Sequence, residues 1–226
     1  MRSILKFTLL AVFCGLFLMQ GEIAAQDSGK AVPAENPDKT KKTDKPDKSD
    51  KPEKTVDGVA PITLKDLAVD FPDVEGWERE EIQKYPSEEL GFSVNYESIE
   101  GGRVTIYVYN GGKRNIPDDL SDKILKNELN TARNEIRRVA DMGLYQDVKE
   151  LKNDTVTLGG ANGKVKALRT LYNFSANGRN LTSEIYMFAH RNRFIKIRAT
   201  RPRDKDENGN KAVTSLLAEI DAMFSK

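Results

Sequence analysis

The feature that most constrains this chain is a pair of short segments in which inward and outward side chains alternate, joined by two glycines. The segments span residues 92–96 and 103–109, and Gly101 and Gly102 lie between them. A period of two is typical of β-strands, and glycine adopts the positive φ angles that a tight turn needs. The sequence therefore predicts a β-hairpin. Tyrosines occupy the second face of the second strand, so we expect a helix or a partner to cover part of that face.

A long amphipathic segment follows the hairpin after a second pair of glycines. Its apolar residues recur at intervals of three or four positions: Leu125, Leu129, Ala132, Ile136 and Val139. This spacing predicts a helix with one buried stripe, and Gly143 is well placed to end it. Basic and amide residues fall mostly off the stripe and are expected in solvent: Lys126, Asn130, Arg133, Arg137 and Arg138.

Residues 1–26 have the pattern of a signal peptide. Arg2 and Lys6 lead into an apolar run at 7–19, and small residues allow cleavage near Ala25. The run is shorter than the roughly 20 residues that span a bilayer. We therefore expect export to the periplasm or out of the cell, with no transmembrane helix in the mature chain. Retention of the segment as an anchor is the alternative.

The composition changes at residue 27. Residues 27–60 are rich in lysine, aspartate and proline, and their acids and bases cancel, which predicts a disordered, extended linker with little grip on nucleic acid. Cys14 is the only cysteine and lies in the signal peptide, so the mature chain is expected to have no disulfide, catalytic thiol or cysteine metal site. Residues 61–226 are long enough to form one domain with its own core.

The rest of this domain alternates apolar runs with turn signals. We expect a first strand at 77–85, four more strands within 146–158, 165–174, 181–189 and 193–200, and a closing helix. The helix has its apolar residues on one face: Val213, Leu216, Leu217, Ile220 and Phe224. The predicted order is β-β-β-α-β-β-β-β-α. This is an α+β fold in which an antiparallel sheet of about six to seven strands is flanked by two long helices.

Several features of residues 70–226 occur together: Gly76-Trp77 before the first strand, the segments GFSVNYES and RVTIYVYN, and the closing helix. In these features and in the order of its elements the chain resembles the PsbP-like superfamily, which includes PsbP proteins, DcrB-type envelope lipoproteins and Ran-binding Mog proteins. The resemblance implies an antiparallel sheet flanked by helices, in a non-enzymatic accessory or binding domain. It implies no catalytic motif, and the chain lacks the lipobox of the lipoprotein members.

Catalytic signals are weak. The one histidine, His190, is expected at a hairpin turn, and Asp118 and Asp119 precede a helix, where turn formation and charge complementation explain them. No nucleophile elbow, phosphate-binding loop, dinucleotide fingerprint or zinc-protease motif occurs. We therefore predict no catalytic residue, no cofactor and no metal. A hydrolase built on isolated carboxylates or serines is left open without support.

A concentration of cations near the end of the chain is the first candidate binding feature. It comprises Arg191, Arg193, Lys196, Arg198, Arg201 and Arg203, with Lys205 beyond them. Such a patch suits an acidic protein, an anionic glycan or lipid headgroups. The alternative is an edge strand whose cations discourage aggregation.

Aromatic residues near the hairpin are the second candidate. Trp77, Tyr96, Tyr107 and Tyr109 would line a ligand groove if they met on one side of the sheet. Packing of the same rings under a helix is the alternative.

The sequence thus predicts an exported, non-enzymatic accessory or binding module of the cell envelope. Its partner is expected to be an envelope protein, and a small-ligand or anion-binding carrier domain is the alternative. Nucleic acid is not expected as a partner, because the chain is exported and its net charge is only +1.

Overall fold

The structure, a computed structural model, describes residues 69–225, so the predicted signal peptide and linker lie outside the described residues. The strands are β1 (Trp77–Arg79), β2 (Gln83–Lys84), β3 (Phe92–Ser98), β4 (Arg103–Tyr109), β5 (Gln146–Thr157), β6 (Lys166–Ala176), β7 (Arg179–His190) and β8 (Arg193–Pro202). The helices are α1 (Lys123–Asp141) and α2 (Asp206–Phe224). All strand pairs are antiparallel, which confirms the predicted α+β class.

The strands lie in the order β1, β3, β4, β8, β7, β6, β5, and β2 shares the β1 edge by pairing with β3. Strand β8, which carries most of the predicted cations, therefore lies inside the sheet between β4 and β7. The expectation that it is an edge strand is wrong. Position within a sheet depends on pairing between distant segments, which local alternation does not encode.

The predicted first strand at 77–85 is two short strands, so the observed order is β-β-β-β-α-β-β-β-β-α. Arg79 pairs with Tyr96, whereas Gln83 pairs with Ser93. The outer strand thus advances four residues while β3 advances three, and one extra residue is accommodated as a bulge that interrupts the ladder. The predicted count of strands was one too low for this reason.

The β3–β4 hairpin is confirmed, with Gly101 at a φ of 79°. Alternation along the strands gives the sheet two covered faces. The α2 face carries buried apolar residues such as Val94, Ile106 and Ile197, which pack in one core with the apolar stripe of α2. The α1 face carries Tyr107, Tyr109 and their neighbours. As predicted, a helix covers it.

Helix α1 ends where its sequence predicts, and Asp122 caps its start. The Asp122 carboxylate accepts a hydrogen bond from the Ile124 N–H at 2.6 Å, and Gly143, with a φ of 76°, directly follows the last turn. All five residues of the predicted apolar stripe are buried. Within residues 69–225, no helix is both long enough and apolar enough to cross a membrane.

Candidate functional site

The six cations predicted as one surface are divided by the sheet. Lys196 and Arg198 lie beneath α1, whereas Arg201 is on the α2 face, because successive residues of a strand point to opposite sides. The other three lie at or beyond the ends of β8: Arg191, Arg193 and Arg203. The structure does not bring these side chains into one patch, and binding of a partner by any of them stays a prediction.

The four aromatic residues are divided in the same way. Trp77 and Tyr96 are buried on the α2 face, and the Tyr96 hydroxyl donates to the Pro72 carbonyl at 2.9 Å. Tyr107 and Tyr109 lie on the α1 face. The four rings therefore do not line one groove, and Tyr96 and Tyr109 pack in the interior as the alternative interpretation expected.

Beneath α1, Lys196 belongs to a buried polar cluster. Its side chain is only 10% exposed, its Nζ lies 3.6 Å from Glu135 Oε2, and it stands 4.6 Å from the centre of the Tyr107 ring. A buried ammonium group is costly unless a counter-charge compensates it. Glu135 supplies that charge, and the tyrosine ring adds a cation–π contact.

Tyr109 ties the same helix to the sheet. Its hydroxyl donates to Glu128 Oε1 at 2.9 Å, and its ring lies 5.5 Å from that of Phe194. Burial raises the pKa of Tyr109 well above its ordinary value, and Glu128 adds to the rise. The hydroxyl therefore stays protonated and acts as a donor. The buried ring, next to Phe194, fills space beneath α1.

Arg198 is held in a comparable way further along β8. One guanidinium nitrogen donates to the Tyr145 hydroxyl at 3.0 Å, and Nε donates to Ser183 Oγ at 3.4 Å. The Tyr145 ring stacks on Phe174 with 4.3 Å between centroids. Arg198 thus connects the segment after α1 to the sheet and presents little charge to a partner.

Because two glutamates of α1 point inward, the outer surface of this helix is basic. Glu128 and Glu135 are turned to the sheet, so between positions 123 and 138 no exposed residue of the helix is acidic. Cations and amides make up what we call the outer face of α1: Lys123, Lys126, Asn127, Asn130, Asn134, Arg137 and Arg138. This part of the helix therefore presents a basic, hydrogen-bonding strip to solvent, on which Thr131 is also exposed, and the exposed acid Asp141 follows at the end of the helix.

Sequence reasoning correctly placed Lys126, Asn130, Arg137 and Arg138 in solvent, whereas Arg133 is part-buried and donates to Glu150 at 2.7 Å. It also missed that the exposed residues between positions 123 and 138 include no acid. The available signal was the spacing of Glu128 and Glu135, seven residues apart and each next to an apolar stripe residue. Seven residues are close to two helical turns, so both carboxylates lie along the buried side. The partner of Glu135 was not visible, because Lys196 is distant in sequence.

His190 departs from its expected place at a solvated turn. It is the last residue of β7, half-buried, and its ring meets Phe224 edge-on at 5.2 Å. It lines an open cavity of about 560 Å³ together with Asp118, Asp119 and Lys164. Asp119 forms the predicted turn, since its carboxylate accepts from Ser121 N and Oγ, and these hydrogen bonds lower its pKa.

The polar lining of this cavity consists of one histidine, two carboxylates and two lysines. Its lining includes no serine or threonine that could act as a nucleophile. Among residues 69–225, no three histidine or carboxylate side chains are placed to hold a metal ion.

No family model matches the chain, and no curated protein matches it. Solved structures that are similar include LpqN of Mycobacterium tuberculosis, involved in cell envelope biogenesis, with a TM-score of 0.39 and 13% identity over 66% of this chain and 79% of LpqN. Cyanobacterial PsbP (CyanoP) from Synechocystis sp. PCC 6803 gives a TM-score of 0.43 and 13% identity over 70% of this chain and 86% of CyanoP. Neither similarity assigns a function, and CyanoP is a PsbP protein, of the superfamily that the sequence resembles.

Proposed function

We propose that this chain is an exported, non-enzymatic binding module whose partner is a protein that docks an acidic surface on the outer face of α1. One observation carries the proposal: the exposed residues of α1 between positions 123 and 138 include four cations and no carboxylate. Export by residues 1–26 and a linker at 27–60 belong to the same proposal. The linker would let the domain reach a partner in the envelope.

The positions of the lysines support a role outside folding. Lys123 and Lys126 lie in the first turns of α1, where the helix dipole is positive, and no acidic residue occupies the first turn. A cation there opposes the dipole by roughly 0.3–1 kcal/mol at low salt. The helix dipole therefore does not explain these two lysines. Besides the hydrogen bonds from Ser121, the nearby Lys126 helps to lower the pKa of Asp119, and attraction of an acidic partner would account for both cations.

The amides on the same strip suit recognition by a protein surface. Asn127, Asn130 and Asn134 are exposed between the cations, so the strip offers donors and acceptors along its length. Asn134 accepts a hydrogen bond from Arg137 at 3.0 Å, which orients that guanidinium along the helix. Charge would speed the encounter, and the amides would contribute specificity.

Helix α1 covers the sheet face that carries Tyr109, which favours a protein partner over a small ligand bound at the aromatic residues. Tyr109 is 6% exposed and Phe194 is fully buried, so their side of the sheet is packed against α1. A ligand next to Tyr109 would have to displace the helix, whereas Tyr107 is only part-buried.

Site-specific photo-crosslinking tests the proposal in living cells. A benzophenone amino acid at Asn130, on the outer face of α1, is expected to capture one discrete acidic partner, with less capture as the salt concentration rises. The matched control is the same group at Ser215, which is also exposed but lies on α2. Equal adducts at both positions, or none at Asn130, would refute the proposed interface.

A further inference from the structure

The two edges of the sheet are built differently. One edge consists of β1 and β2, which have three and two residues and are separated by the bulge described above. The other edge is β5, which has 12 residues and, among the described strands, pairs only with β6. Short, interrupted edge strands discourage pairing with another chain, whereas a long edge strand offers a template for it. The β5 edge is therefore the one that can accept a further strand.

Bulges interrupt the first half of β5 but not the second. The register to β6 shifts twice between Gln146 and Lys152, and Asp147 adopts a φ of 53° within the first shift. From Lys152 to Thr157 the pairing with β6 runs without a shift. A bulge twists a strand and disrupts its ladder, so only the regular part suits a further strand. We call residues 152–157 the straight edge of β5.

The backbone groups of the straight edge alternate between β6 and the outside. The Leu158 N–H donates to the Val165 carbonyl at 2.9 Å, at the end of the β5–β6 ladder. Successive residues of an antiparallel strand bond to opposite sides, so the N–H and C=O groups of Asn153, Thr155 and Thr157 are directed away from β6. Each of these residues thus offers one donor and one acceptor to an added strand.

The side chains of the straight edge show that neither helix covers it. The residues from Lys152 to Thr155 are exposed in succession, although successive side chains point to opposite faces of the sheet. A helix over one face would produce alternating burial instead. Within residues 69–225, both faces of this edge are therefore open from Lys152 to Thr155.

Arginines of neighbouring elements compensate the acids of this part of β5. Glu150 accepts from the Arg133 guanidinium at 2.7 Å and 3.2 Å. Asp154 accepts from Arg169 at 2.9 Å and 2.8 Å. These hydrogen bonds lower the pKa of Asp154, and the nearby Lys152 adds to the effect, so this carboxylate faces two cations. The acids therefore contribute little uncompensated negative charge to the edge.

The lysines of β5 lack comparable partners. Lys149 and Lys152 are exposed, and neither forms a salt bridge within residues 69–225. Arg137 of α1, which is 60% exposed, adds a cation 4.0 Å from Glu150. The exposed acid of the strand, Asp147, lies beyond the bulges. The straight edge is thus bordered by cations, which favours an acidic partner over a second copy that carries the same lysines.

We propose that the straight edge of β5 binds an extended, acidic segment of a partner protein, which joins the sheet as a further strand. The outward backbone groups of Asn153, Thr155 and Thr157 supply the hydrogen bonds, and Lys152 attracts an acidic side chain of the segment. This surface is separate from the outer face of α1, because it consists of backbone groups at the rim of the sheet. It does not rest on the proposed role of α1.

Amide exchange measured by nuclear magnetic resonance on the whole chain tests strand addition. The probe is a soluble peptide in which glutamate alternates with threonine. The same peptide with every backbone nitrogen methylated keeps the charges but has no donors. The unmethylated peptide is expected to slow exchange at Asn153, Thr155 and Thr157 in a saturable way and to leave Leu158, which already bonds β6, unchanged.

Three results of this experiment would overturn the proposal. The first is the absence of saturable slowing at these amides, or equal slowing by the methylated peptide. The second is equal binding by a peptide with lysine in place of glutamate, which would contradict an acidic partner. The third is slowing that grows with protein concentration in the absence of peptide, which would assign the edge to a second copy of the chain.

A proline variant tests the backbone contact without disturbing the β5–β6 ladder. Thr155→Pro removes an N–H that is directed away from β6, and proline is tolerated at such positions of an edge strand. The matched variant Thr155→Ala keeps the N–H. Thr155→Pro is expected to weaken binding of the glutamate peptide by about tenfold or more, equivalent to 1.4 kcal/mol, and Thr155→Ala to bind nearly as wild type does.

Protection of the Leu158 N–H in both variants reports that the ladder is intact. Equal affinity of Thr155→Pro and Thr155→Ala would overturn the proposed strand addition. Crosslinking from Asn130 is expected to persist in Thr155→Pro, so failure here leaves the α1 interface to be judged by its own experiment.

Discussion

The two helices are equally long, with 19 residues each, and cover opposite faces of one sheet, yet they present different surfaces. Helix α1 turns Glu128 and Glu135 toward the sheet and exposes cations, with Asp141 at its end as its one exposed acid. Helix α2 exposes mainly small polar residues and alanines, with the acids Glu207 and Glu219 and one cation, Lys211. The sheet beneath a helix therefore decides which charges it withdraws from solvent, and amphipathicity alone does not set the charge of the outer face.

The buried carboxylates differ between the helices as well. Glu135 of α1 compensates the cation of Lys196. Asp221 of α2 is 6% exposed and accepts from the backbone N–H groups of Lys164 and Val165, at 2.9 Å and 2.7 Å. Glu135 thus compensates a buried cation, and its withdrawal from solvent affects the charge of the helix surface. Asp221 accepts from backbone N–H groups and so holds α2 to the β5–β6 connection.

The largest expected effect tests whether both helices are equally integral to the fold. Leu125 on α1 and Leu216 on α2 are both fully buried. Leu125→Ala and Leu216→Ala are each expected to lower the free energy of unfolding by about 2–5 kcal/mol, measured by urea denaturation. Substitutions at the protein surface typically cost less than about 1 kcal/mol. A loss of that size for Leu125→Ala alone would mean that α1 packs loosely and that the two helices are not equally integral to the fold.

The second-largest expected effect is a difference in stability loss between removing a buried carboxylate and removing an exposed one. Asp221→Ala and Glu135→Ala each remove the partner of a buried polar group and are expected to cost about 1–3 kcal/mol of unfolding free energy. The matched control is Glu219→Ala, an exposed acid of α2, expected to fall within about 0.5 kcal/mol of wild type. If Glu135→Ala behaved like this control, Lys196 would not depend on α1 for compensation.

A smaller effect of opposite sign sharpens the functional interpretation of α1. Lys123→Glu places an acid at the positive end of the helix and is expected to raise the unfolding free energy by about 0.3–1 kcal/mol at low salt. Arg138→Glu, in the last turn, is expected to lower it by a similar amount. Both are expected to weaken partner binding. Loss of stability in Lys123→Glu would indicate that the lysine serves folding.

The smallest expected effect concerns pH and the α2 face. Hydrogen bonds from Arg169 hold the pKa of Asp154 below its ordinary value of 3.8. The stabilisation is therefore present above that value and is lost as the pH falls through the lower, folded-state pKa. Unfolding curves of wild type and Asp154→Asn are expected to differ at neutral pH and to converge in acid. A constant gap between them would contradict the contribution of this ion pair.

The sequence predicted well the elements that depend on neighbouring residues. The β3–β4 hairpin, the stripe of α1 and its end at Gly143 rest on local alternation, helical spacing and a positive φ, all legible in the chain itself. The bulge between Arg79 and Gln83 was missed because an extra residue shows only against a paired strand. The interior position of β8 was missed because it also depends on which strands pair.

The candidate sites were harder to predict than the fold. Lys196 and Arg201 both lie on β8 and looked alike in sequence, yet one lies beneath α1 and the other beneath α2. Their partners, Glu135 and Glu184, come from other segments of the chain. Their odd spacing along one strand places these cations on opposite sides, but only the topology shows that both sides are covered.

The most direct test of the central claim is the affinity of the partner captured from Asn130 for two charge-reversal variants, measured by titration calorimetry at low and high salt. Lys126→Glu, on the outer face of α1, is expected to weaken binding by about tenfold at low salt, and less at high salt. The matched variant Lys211→Glu, on the exposed side of α2, is expected to bind as wild type does. Unchanged affinity in Lys126→Glu, or equal losses in both variants, would contradict the assignment of α1 as the binding surface.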